Sequence, residues 1–418
     1  MTEPDPERSR AHPAPTDTTA ALASRVAARA AERFAGEALD RLLAERLPGS
    51  DLNTLLLHAF RRRARSRTFA ELRDQLARQP LLAPSSADAR RMHAFDAAAF
   101  AAASEFEAID LSPVQPLGTA AVVGVDPNNV LAALRAAEVA ADPTTALALV
   151  AAERRRAAAR GAEAPPLRLC TSQRVMRLQP VDHPGFTPHF RLFALATATR
   201  SGAARSPDVA ERRAVLEHLD VWARLAAALP GAGFRLAGVR VVLSDTRLVA
   251  AGFARAGVDA AALARVARAH RPEAGEHAIA ESGFVLPRAS RELVADVAAL
   301  GLDEPMQALA RGLVDEIALP LRELHPAVDV SFDLARLEGL NYYVGPTLRV
   351  FVQVAGGPEL SVGDGGALTW LATLLSDRRE RWVTSAVGTE LLVKLASGSG
   401  GGGGGAGAAT SSRPGEAP

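Results

Sequence analysis

The chain has 418 residues and a formal net charge of +1, from 48 basic and 47 acidic residues. Its length is typical of two or three domains with sizeable cores, and the balanced charge excludes a surface built as a whole to hold a polyanion. Alanine supplies much of the 48% hydrophobic content while aromatic residues make up only 5%, which favours helices with small side chains over a large β-sandwich.

The sequence carries no signal for a membrane or an oxidising compartment. Its single cysteine, Cys170, cannot form an internal disulfide or a two-cysteine metal site. The sequence contains no uncharged run of about 18 apolar residues, so it predicts no membrane span. The first residues are polar and proline-rich, unlike a signal peptide. We therefore expect a cytoplasmic protein with no membrane partner.

The two ends of the chain predict disorder. Residues 1–19 are rich in proline and charge without periodicity, and residues 396–418 form a Gly/Ser-rich tail with nothing to bury. Between 20 and 84, apolar residues recur every three or four positions, which predicts a helical N-terminal extension. The run RRRARSR at 61–67 is more typical of a solvated helix face than of a binding patch, so no nucleic-acid partner is expected.

Strand and helix patterns mix from residue 85 onward. Ser85 or Ser86 is a candidate N-cap for the first helix of this part, and Asp142 before Pro143 predicts another N-cap. FEAIDLSPVQPLG and TAAVVGVD have the pattern of strands, and NNVLAALRAAEVAA that of a helix. PLRLCTSQRVMRLQPV and PHFRLFALATATR predict the two strands of an antiparallel hairpin.

The second half of the chain begins with a mostly helical stretch over about 205–325 that contains one strand-like segment, VRVVLSDTRLV. AVDVSFDLARLEGLNYYVGPTLRVFVQV is strand-like throughout, GDGG at 363–366 predicts a turn before a helix, and WVTSAVGTELLVKL predicts strand, glycine and helix. Strands and antiparallel hairpins separated by helices, without regular βαβ units, predict an α+β core over 85–395.

The segment GLNYYVG at 339–345 holds Tyr342 and Tyr343, the only two tyrosines of the chain. In a strand, one ring would enter the core and the other would point outward, because adjacent side chains face opposite sides. Alternatively, a tyrosine hydroxyl orients a polar ligand in a small-molecule pocket. The segment alone leaves both readings open.

Three motifs resemble the class II aminoacyl-tRNA synthetase core of the histidyl-tRNA synthetase branch. LEGLNYYVGPTLRVF is similar to that family's R-G-L-D-Y-Y-T-G pattern, RVMRLQPVDHPGFTPHFRLFAL to the motif 2 hairpin, and GDGGALTWLATLL with WVTSAVGTELLVKL to the glycine-rich segment and motif 3. Two weaker similarities are those of FEAIDLSPVQPLG to motif 1 and of DPTTALALVAAERRR to the family's R-P-E-G-T segment. The resemblance spans roughly residues 85–395. It implies an antiparallel sheet flanked by helices and, through motif 1, a homodimer.

The resemblance implies ligand-binding roles for several residues. Arg177 matches the motif 2 arginine that contacts the α-phosphate and the amino-acid carboxylate, and Gln179 replaces a glutamate at the adenine end of ATP. Asn341 replaces the aspartate before Tyr342 and Tyr343, so a cationic ligand group would lose a charge-assisted partner. These residues are the expected wall of an amino-acid pocket.

Charges that amino-acid activation requires are missing elsewhere. Leu391 replaces the motif 3 arginine that grips the γ-phosphate, and Leu192 and Ala196 replace substrate-contacting Gln and Glu. Glu338 replaces an arginine that helps to catalyse adenylate formation. Two unit charges about 4 Å apart interact by about 4 kcal/mol, so this reversal penalises a triphosphate, and Arg336 lies about 6–7 Å away along a strand. We predict a lost activation site, with no catalytic residue, cofactor or metal.

The family also contains a subunit with this core but without the tRNA-binding domain, and after Leu395 only the Gly/Ser tail follows here. That subunit is the synthetase-like regulatory subunit of ATP phosphoribosyltransferase, the first enzyme of histidine synthesis. The resemblance therefore implies a regulatory partner of a catalytic subunit that binds histidine or another small amino acid. A divergent amino-acid-activating, adenylate-forming enzyme, supported by Arg177, and a pseudo-synthetase module that holds another partner through its N-terminal helices remain open.

Overall fold

The fold was analysed in a computed structural model that describes residues 18–33, 41–157, 165–179, 187–200, 207–258, 286–340 and 342–397. The disorder predicted for residues 1–17 and 398–418 and the role predicted for Asn341 lie outside the described residues. Helix α1 begins at Thr18. At the other end, the last helix runs to the buried Ala396, and Ser397 forms a bridge to Phe234. The described helices therefore include Thr18, Thr19 and Ala396, which the sequence placed in the terminal segments.

The described residues between 20 and 84 are mostly helical. Their helices are α1 (Thr18–Arg33), α2 (Gly49–Arg65) and α3 (Phe69–Arg78), with a π-helical turn at Leu42–Arg46 and a 3-10 turn at Pro80–Leu82. Helix α1 packs on α2 and buries Val26 and Ala30, whereas α2 and α3 bury no side chain.

A large mixed sheet organises the rest of the chain. Its eight strands lie in the order β1-β5-β6-β11-β10-β9-β7-β8, and all neighbours are antiparallel except β1 with β5 and β7 with β8. A small sheet has the order β2-β4-β3. The bounds are β1 Glu107–Ala108, β2 Val114–Pro116, β3 Ala132–Ala133, β4 Ala137–Val139, β5 Leu167–Met176, β6 His189–Arg200, β7 Leu236–Asp245, β8 Val328–Phe332, β9 Pro346–Val354, β10 Glu359–Leu368 and β11 Glu380–Gly388.

Helices cover both faces of this sheet. They are α4 Ala89–Ala102, α5 Thr119–Val122, α6 Pro143–Ala157, α7 Pro207–Ala228, α8 Thr246–Arg255, α9 Leu293–Ala299, α10 Glu304–Leu313, α11 Leu319–Leu324, α12 Trp370–Leu375 and α13 Thr389–Ala396. A 3-10 turn lies at Pro127–Asn129 and a π-helical turn at Val314–Ala318. The α+β class predicted from the sequence is confirmed.

Side-chain alternation gives the large sheet two different faces. One face carries the larger core, where α4 and α7 pack on residues such as Phe193 and Leu195. We call the other face the tyrosine face. It is defined by Leu169, Thr171, Gln173, Ala194, Ala196, Ala198, Thr384 and Trp382, and α6, α12 and Tyr343 pack against it.

Two short elements before α6 differ from their predictions. TAAVVGVD contains the short helix α5 instead of a strand, and NNVLAALRAAEVAA contains the hairpin β3–β4 instead of a helix, with positive φ at Arg135 and Ala136. The buried carboxylate of Glu138 explains the hairpin. It accepts hydrogen bonds from the backbone N–H of Gly118 and Ala120 and from Gln115. Tertiary hydrogen bonding here outweighs the helix propensity of alanine.

Two predicted boundaries differ from the structure, in each case because an aspartate caps the helix that follows it. Asp88, not Ser85 or Ser86, caps α4 by accepting from the N–H of Arg90 and Arg91. The strand predicted as VRVVLSDTRLV ends at Asp245, whose side chain caps α8. The predicted antiparallel hairpin is present as β5–β6, and Asp142 caps the start of α6 through the N–H of Thr144.

Candidate functional site

The tyrosine pair lies in the connection between β8 and β9, which is a turn over residues 339–345 and not the predicted strand. The turn begins at Gly339, whose φ of +78° favours glycine, and the N–H groups of Tyr342 and Tyr343 each donate to its carbonyl at 2.9 Å. Both rings pack into the cluster on the tyrosine face. The expectation of one inward and one outward ring is therefore wrong, because a tight turn does not alternate its side chains as a strand does.

Tyr343 is held between two glycines. A Cβ at Gly339 would lie 2.7 Å from Cδ2 of the ring, and a Cβ at Gly366 would lie 2.8 Å from Cδ1. The guanidinium of Arg336 lies 5.7 Å from the ring centre. The buried Tyr343 ring occupies the space that a side chain at either position would need. Packing of this ring therefore requires glycine at both positions.

The glycines of GDGG serve packing in the sheet and form no turn. Gly363, Gly365 and Gly366 lie inside β10, and a Cβ on Gly365 would lie 2.4 Å from Cβ of Ser385 on the neighbouring strand β11. The turn predicted for residues 363–366 is therefore wrong. Close approach of β11 and of the tyrosine turn explains these glycines.

Tyr342 joins this aromatic group to the start of α6. Its ring makes edge-to-face contacts with Tyr343 at 4.9 Å and with Trp370 at 5.3 Å. Its phenol lies near the side chain of Thr144 and the Asp142 carboxylate. Burial raises the pKa of both tyrosines well above the usual value, so both phenols stay neutral.

Arg177 reaches the same place from the end of β5. Its Nε donates to the carbonyl of Ala141 at 2.9 Å and its Nη2 to the carboxylate of Asp142 at 3.1 Å, while its guanidinium lies 5.2 Å from the ring centre of Phe190. Asp142 also accepts from the N–H and the hydroxyl of Thr144. Arg177 therefore faces the tyrosines together with a carboxylate that neutralises it.

A second arginine lies behind the tyrosines and is bound entirely by protein groups. Arg336, 4% exposed, donates to the carbonyls of Glu338 and Leu348 and, at 2.6 Å, to the carboxylate of Asp364. Burial alone would lower the pKa of Arg336, but Asp364 outweighs this and raises it. The half-exposed carboxylate of Glu338 lies 3.5 Å from Arg349. Arg336 thus supports the turn from the protein interior. Because protein groups bind its guanidinium, it is not placed to replace a phosphate-binding arginine.

The other residues predicted for this site are placed as follows. Gln179 is partly buried at the end of the described segment 165–179, and Asn341 lies outside the described residues. Leu192 and Ala196 are buried on the tyrosine face, where polar substrate contacts would be required. Leu391 lies partly buried in α13. The structure brings Arg177, Tyr342 and Tyr343 together, while Glu338 turns away to Arg349.

Three buried oxygen atoms on the tyrosine face have no hydrogen-bond partner among the described residues. They are Thr171 Oγ1, Gln173 Oε1 and Thr347 Oγ1, on β5 and β9. A buried polar atom without a partner costs about 1–3 kcal/mol, so each can accept a hydrogen bond that the fold does not supply. Thr171 and Gln173 lie on β5, the strand that Arg177 follows, whereas Thr347 lies four strands away on β9.

Sequence reasoning missed several of these residues. Asp142 was predicted only as a helix cap, and Thr144, Thr171, Gln173 and Trp370 were not singled out. One signal was available: Thr171 and Gln173 are polar residues two apart in a predicted strand, so they share one face. Among the described residues, no group of three or more His, Cys, Asp or Glu side chains is placed to hold a metal ion, and no helix is long and apolar enough to cross a membrane.

The chain is similar in part to a protein of described function. It is 41% identical over 142 residues to the ATP phosphoribosyltransferase regulatory subunit of Variovorax paradoxus, which covers 31% of this chain and 36% of that protein. The chain thus matches about a third of the length of this curated relative. No protein-family model matches the chain.

Solved structures share the fold at low sequence identity. An ATP phosphoribosyltransferase regulatory subunit/histidyl-tRNA synthetase from Bacillus halodurans is 17% identical with a TM-score of 0.55, over 73% of this chain and 79% of that one. Histidyl-tRNA synthetase from Nostoc is 14% identical with a TM-score of 0.56, over 76% of this chain and 74% of that one. The resemblance to a histidyl-tRNA synthetase-like class II core is confirmed, and the sheet with its flanking helices is the core of that fold.

Proposed function

We propose that this chain is a non-catalytic regulatory subunit of ATP phosphoribosyltransferase. The local identity of 41% to a regulatory subunit of that enzyme and the synthetase-like fold both support the proposal. In this role the chain assembles with the catalytic subunit and changes its activity when an amino acid binds to the tyrosine face.

The observation that carries the loss of catalysis is the pairing of each arginine at the site with a carboxylate. Arg177 is paired with Asp142 and Arg336 with Asp364, while Glu338 is turned away to Arg349. Adenylate formation develops negative charge on the α-phosphate, and positive groups aimed at that charge must stabilise it. At this site an incoming triphosphate would meet the carboxylates of Asp142 and Asp364 beside Arg177 and Arg336, which leaves no net attraction for the reaction to use.

The same site retains the features of a small amino-acid pocket. The carboxylate of a ligand would approach the Arg177 side chain, and the amino group of the ligand would donate to Asp142, to Thr171 or to Gln173. Histidine is the ligand that fits the proposed role, and its imidazole would lie against the tyrosines. Two such chains are proposed to pair through the segment similar to motif 1, which includes β1 and β2.

Reconstitution with a short-form ATP phosphoribosyltransferase catalytic subunit tests the proposal. Mixing the two chains should give one complex on size-exclusion chromatography, and histidine should inhibit phosphoribosyl transfer only when both chains are present. Two chains that elute separately at micromolar concentration, with identical catalytic rates alone and mixed, would refute the regulatory role.

Variants on the tyrosine face separate assembly from histidine sensing. The pair of changes Thr171→Val and Gln173→Leu keeps side-chain size but removes polar atoms, so the complex should still form while inhibition by histidine weakens by about tenfold or more. Thr373→Val on the exposed part of α12 is the matched control and should leave inhibition unchanged. Equal inhibition in all three proteins would place the histidine site elsewhere.

Arg177 favours a second candidate function, a divergent amino-acid-activating enzyme, because it occupies the motif 2 position beside the tyrosines. This candidate predicts amino-acid-dependent exchange of pyrophosphate into ATP, abolished by Arg177→Ala. The regulatory proposal predicts no exchange with any of the common amino acids. A pseudo-synthetase module with a different partner predicts neither exchange nor assembly with the catalytic subunit.

A further inference from the structure

Helices α2 and α3 form an arm, defined as residues 49–78, that is packed unlike the core helices. Neither helix buries a side chain. A helix of ten residues such as α3 is marginal in water unless an apolar face is covered. Helix α3 nevertheless has such a face: Phe69, Leu72 and Leu76 recur at positions i, i+3 and i+7 and are 92%, 49% and 51% exposed.

Local hydrogen bonds fix this apolar stripe beside the end of α2. Thr68 and Glu71 form a reciprocal capping box at the start of α3, with the Thr68 N–H donating to the Glu71 carboxylate at 2.7 Å. Arg67 donates to the side chain of Gln75 at 2.6 Å. The basic run at the end of α2 is thereby tied to α3 one residue away from Leu76.

The arginines of this run are uncommitted. Arg61, Arg62, Arg63 and Arg65 are exposed, and no carboxylate among the described residues lies within ion-pair distance of them. The N-terminal extension is more basic than the chain as a whole. Residues 20–84 contain twelve arginines and seven acidic residues, whereas the whole chain has a net charge of +1. Four exposed arginines therefore precede, by a few residues of chain, the three exposed apolar side chains of α3.

We propose that the arm is a docking surface for an acidic amphipathic helix of a partner protein. The apolar side of that helix covers Phe69, Leu72 and Leu76, and its carboxylates pair with the arginines of the run 61–65. Charge complementarity selects this partner over the alternatives. A second copy of the arm would bring two arginine runs together. Nucleic acid offers no apolar helix face to cover Phe69, Leu72 and Leu76, and the polar side of α3, where Glu71 and Asp74 offset Arg73 and Arg78, adds no net positive charge for an anionic membrane.

Two synthetic peptides test this with the full-length chain. Both have about 20 residues with leucine at i, i+3, i+4 and i+7, one with glutamate and one with lysine at the remaining positions. We expect fluorescence anisotropy to show binding of the glutamate peptide that is at least about tenfold tighter than that of the lysine peptide, and weaker when salt rises from about 0.05 to 0.5 M.

Two variants assign the binding to the arm. Arg62→Glu with Arg63→Glu should weaken binding of the glutamate peptide by about tenfold or more, and so should Leu72→Ser with Leu76→Ser. Arg378→Glu changes one exposed arginine far from the arm in sequence and should leave binding unchanged. Circular dichroism of each variant should match that of the parent chain, because the substituted side chains are exposed.

Three outcomes would overturn the proposal. The first is equal binding of the glutamate and lysine peptides. The second is a dimer in sedimentation experiments that dissociates when Leu72 and Leu76 are replaced, which would make a second copy the occupant. The third is stronger binding to vesicles of anionic lipid or to single-stranded RNA than to the glutamate peptide.

Discussion

The arm and the tyrosine face use arginine in opposite ways. On the tyrosine face, Arg177 and Arg336 each pair with an aspartate and also donate to backbone carbonyls. On the arm, the arginines between 61 and 65 have no carboxylate partner among the described residues. A guanidinium removed from water must recover its lost hydration from protein groups, whereas an exposed one keeps its water.

This difference indicates where each region acts. The arginines of the tyrosine face are balanced by aspartates of the fold, which fits the proposed binding of a small ligand without a triphosphate. The arginines between 61 and 65 have no such carboxylate among the described residues, which fits the proposed docking of a macromolecular partner. Substitutions that remove a compensating carboxylate, or that change exposed and buried side chains in the same way, test this contrast.

Removing the carboxylate that neutralises Arg336 should have the largest effect. Asp364→Ala leaves a buried guanidinium uncompensated and should lower the free energy of unfolding by about 3 kcal/mol in urea titrations. Glu338→Ala is the matched control, because its partner Arg349 is less buried than Arg336, so the loss should be less than about 1 kcal/mol. Equal losses would mean that burial does not distinguish the two ion pairs.

The next largest loss of stability is expected when a side chain fills the space around Tyr343. Gly339→Ala places a methyl group 2.7 Å from the ring and puts alanine at a φ of +78°, which together should cost about 2–3 kcal/mol. Gly356→Ala is made at a similar φ of +72° with no atom within 4 Å, so it should cost only about 1 kcal/mol. The difference in the unfolding free energies measures the packing of Tyr343 alone.

A buried carboxylate beneath the turn should make stability depend on pH. Burial raises the pKa of Glu211 to about 7, although Arg381 lies 3.7 Å away. The unfolded chain releases this proton near pH 4.5, so the stability contributed by protonated Glu211 is lost as pH rises from about 4.5 to 7.

Glu211→Gln removes this titration. Relative to the parent chain, the variant should therefore gain about 1–2 kcal/mol of stability when the pH of urea unfolding is raised from about 5 to 7. Glu217→Gln, on the same helix but more exposed, is the control. Parallel stability profiles for parent and Glu211→Gln would show that Glu211 is ionised throughout this range.

The smallest effect on stability is expected in the arm. Leu76→Ala should change the unfolding free energy by less than about 0.5 kcal/mol, because Leu76 is half exposed. Leu371→Ala, the same substitution at a fully buried position on α12, should cost about 2–5 kcal/mol. A large loss for Leu76→Ala would mean that the arm is covered within the chain itself, and it would remove the basis of the docking proposal.

Much of the core could be predicted from residue order because its signals are local. The alternation of polar and apolar residues predicted β5 and β6, the strand–glycine–helix pattern predicted β11 and α13, and Asp142 before Pro143 predicted the start of α6. The β3–β4 hairpin was not predictable in this way. Its sequence favours a helix, and only the bonds that Glu138 makes to a separate segment determine the hairpin.

The sequence by itself determined the family resemblance and the α+β class, and it supplied the prediction that certain residues replace catalytic charges. These features follow from which side chains are present and in which order. The tertiary structure decided which charges neutralise one another, because ion pairs such as Arg177 with Asp142 and Arg336 with Asp364 join residues 35 and 28 positions apart. It also decided that both tyrosine rings face inward, since the space for Tyr343 is left by a glycine of its own turn and by Gly366 of a strand that follows it. Both depend on distances between segments, which the order of residues does not specify.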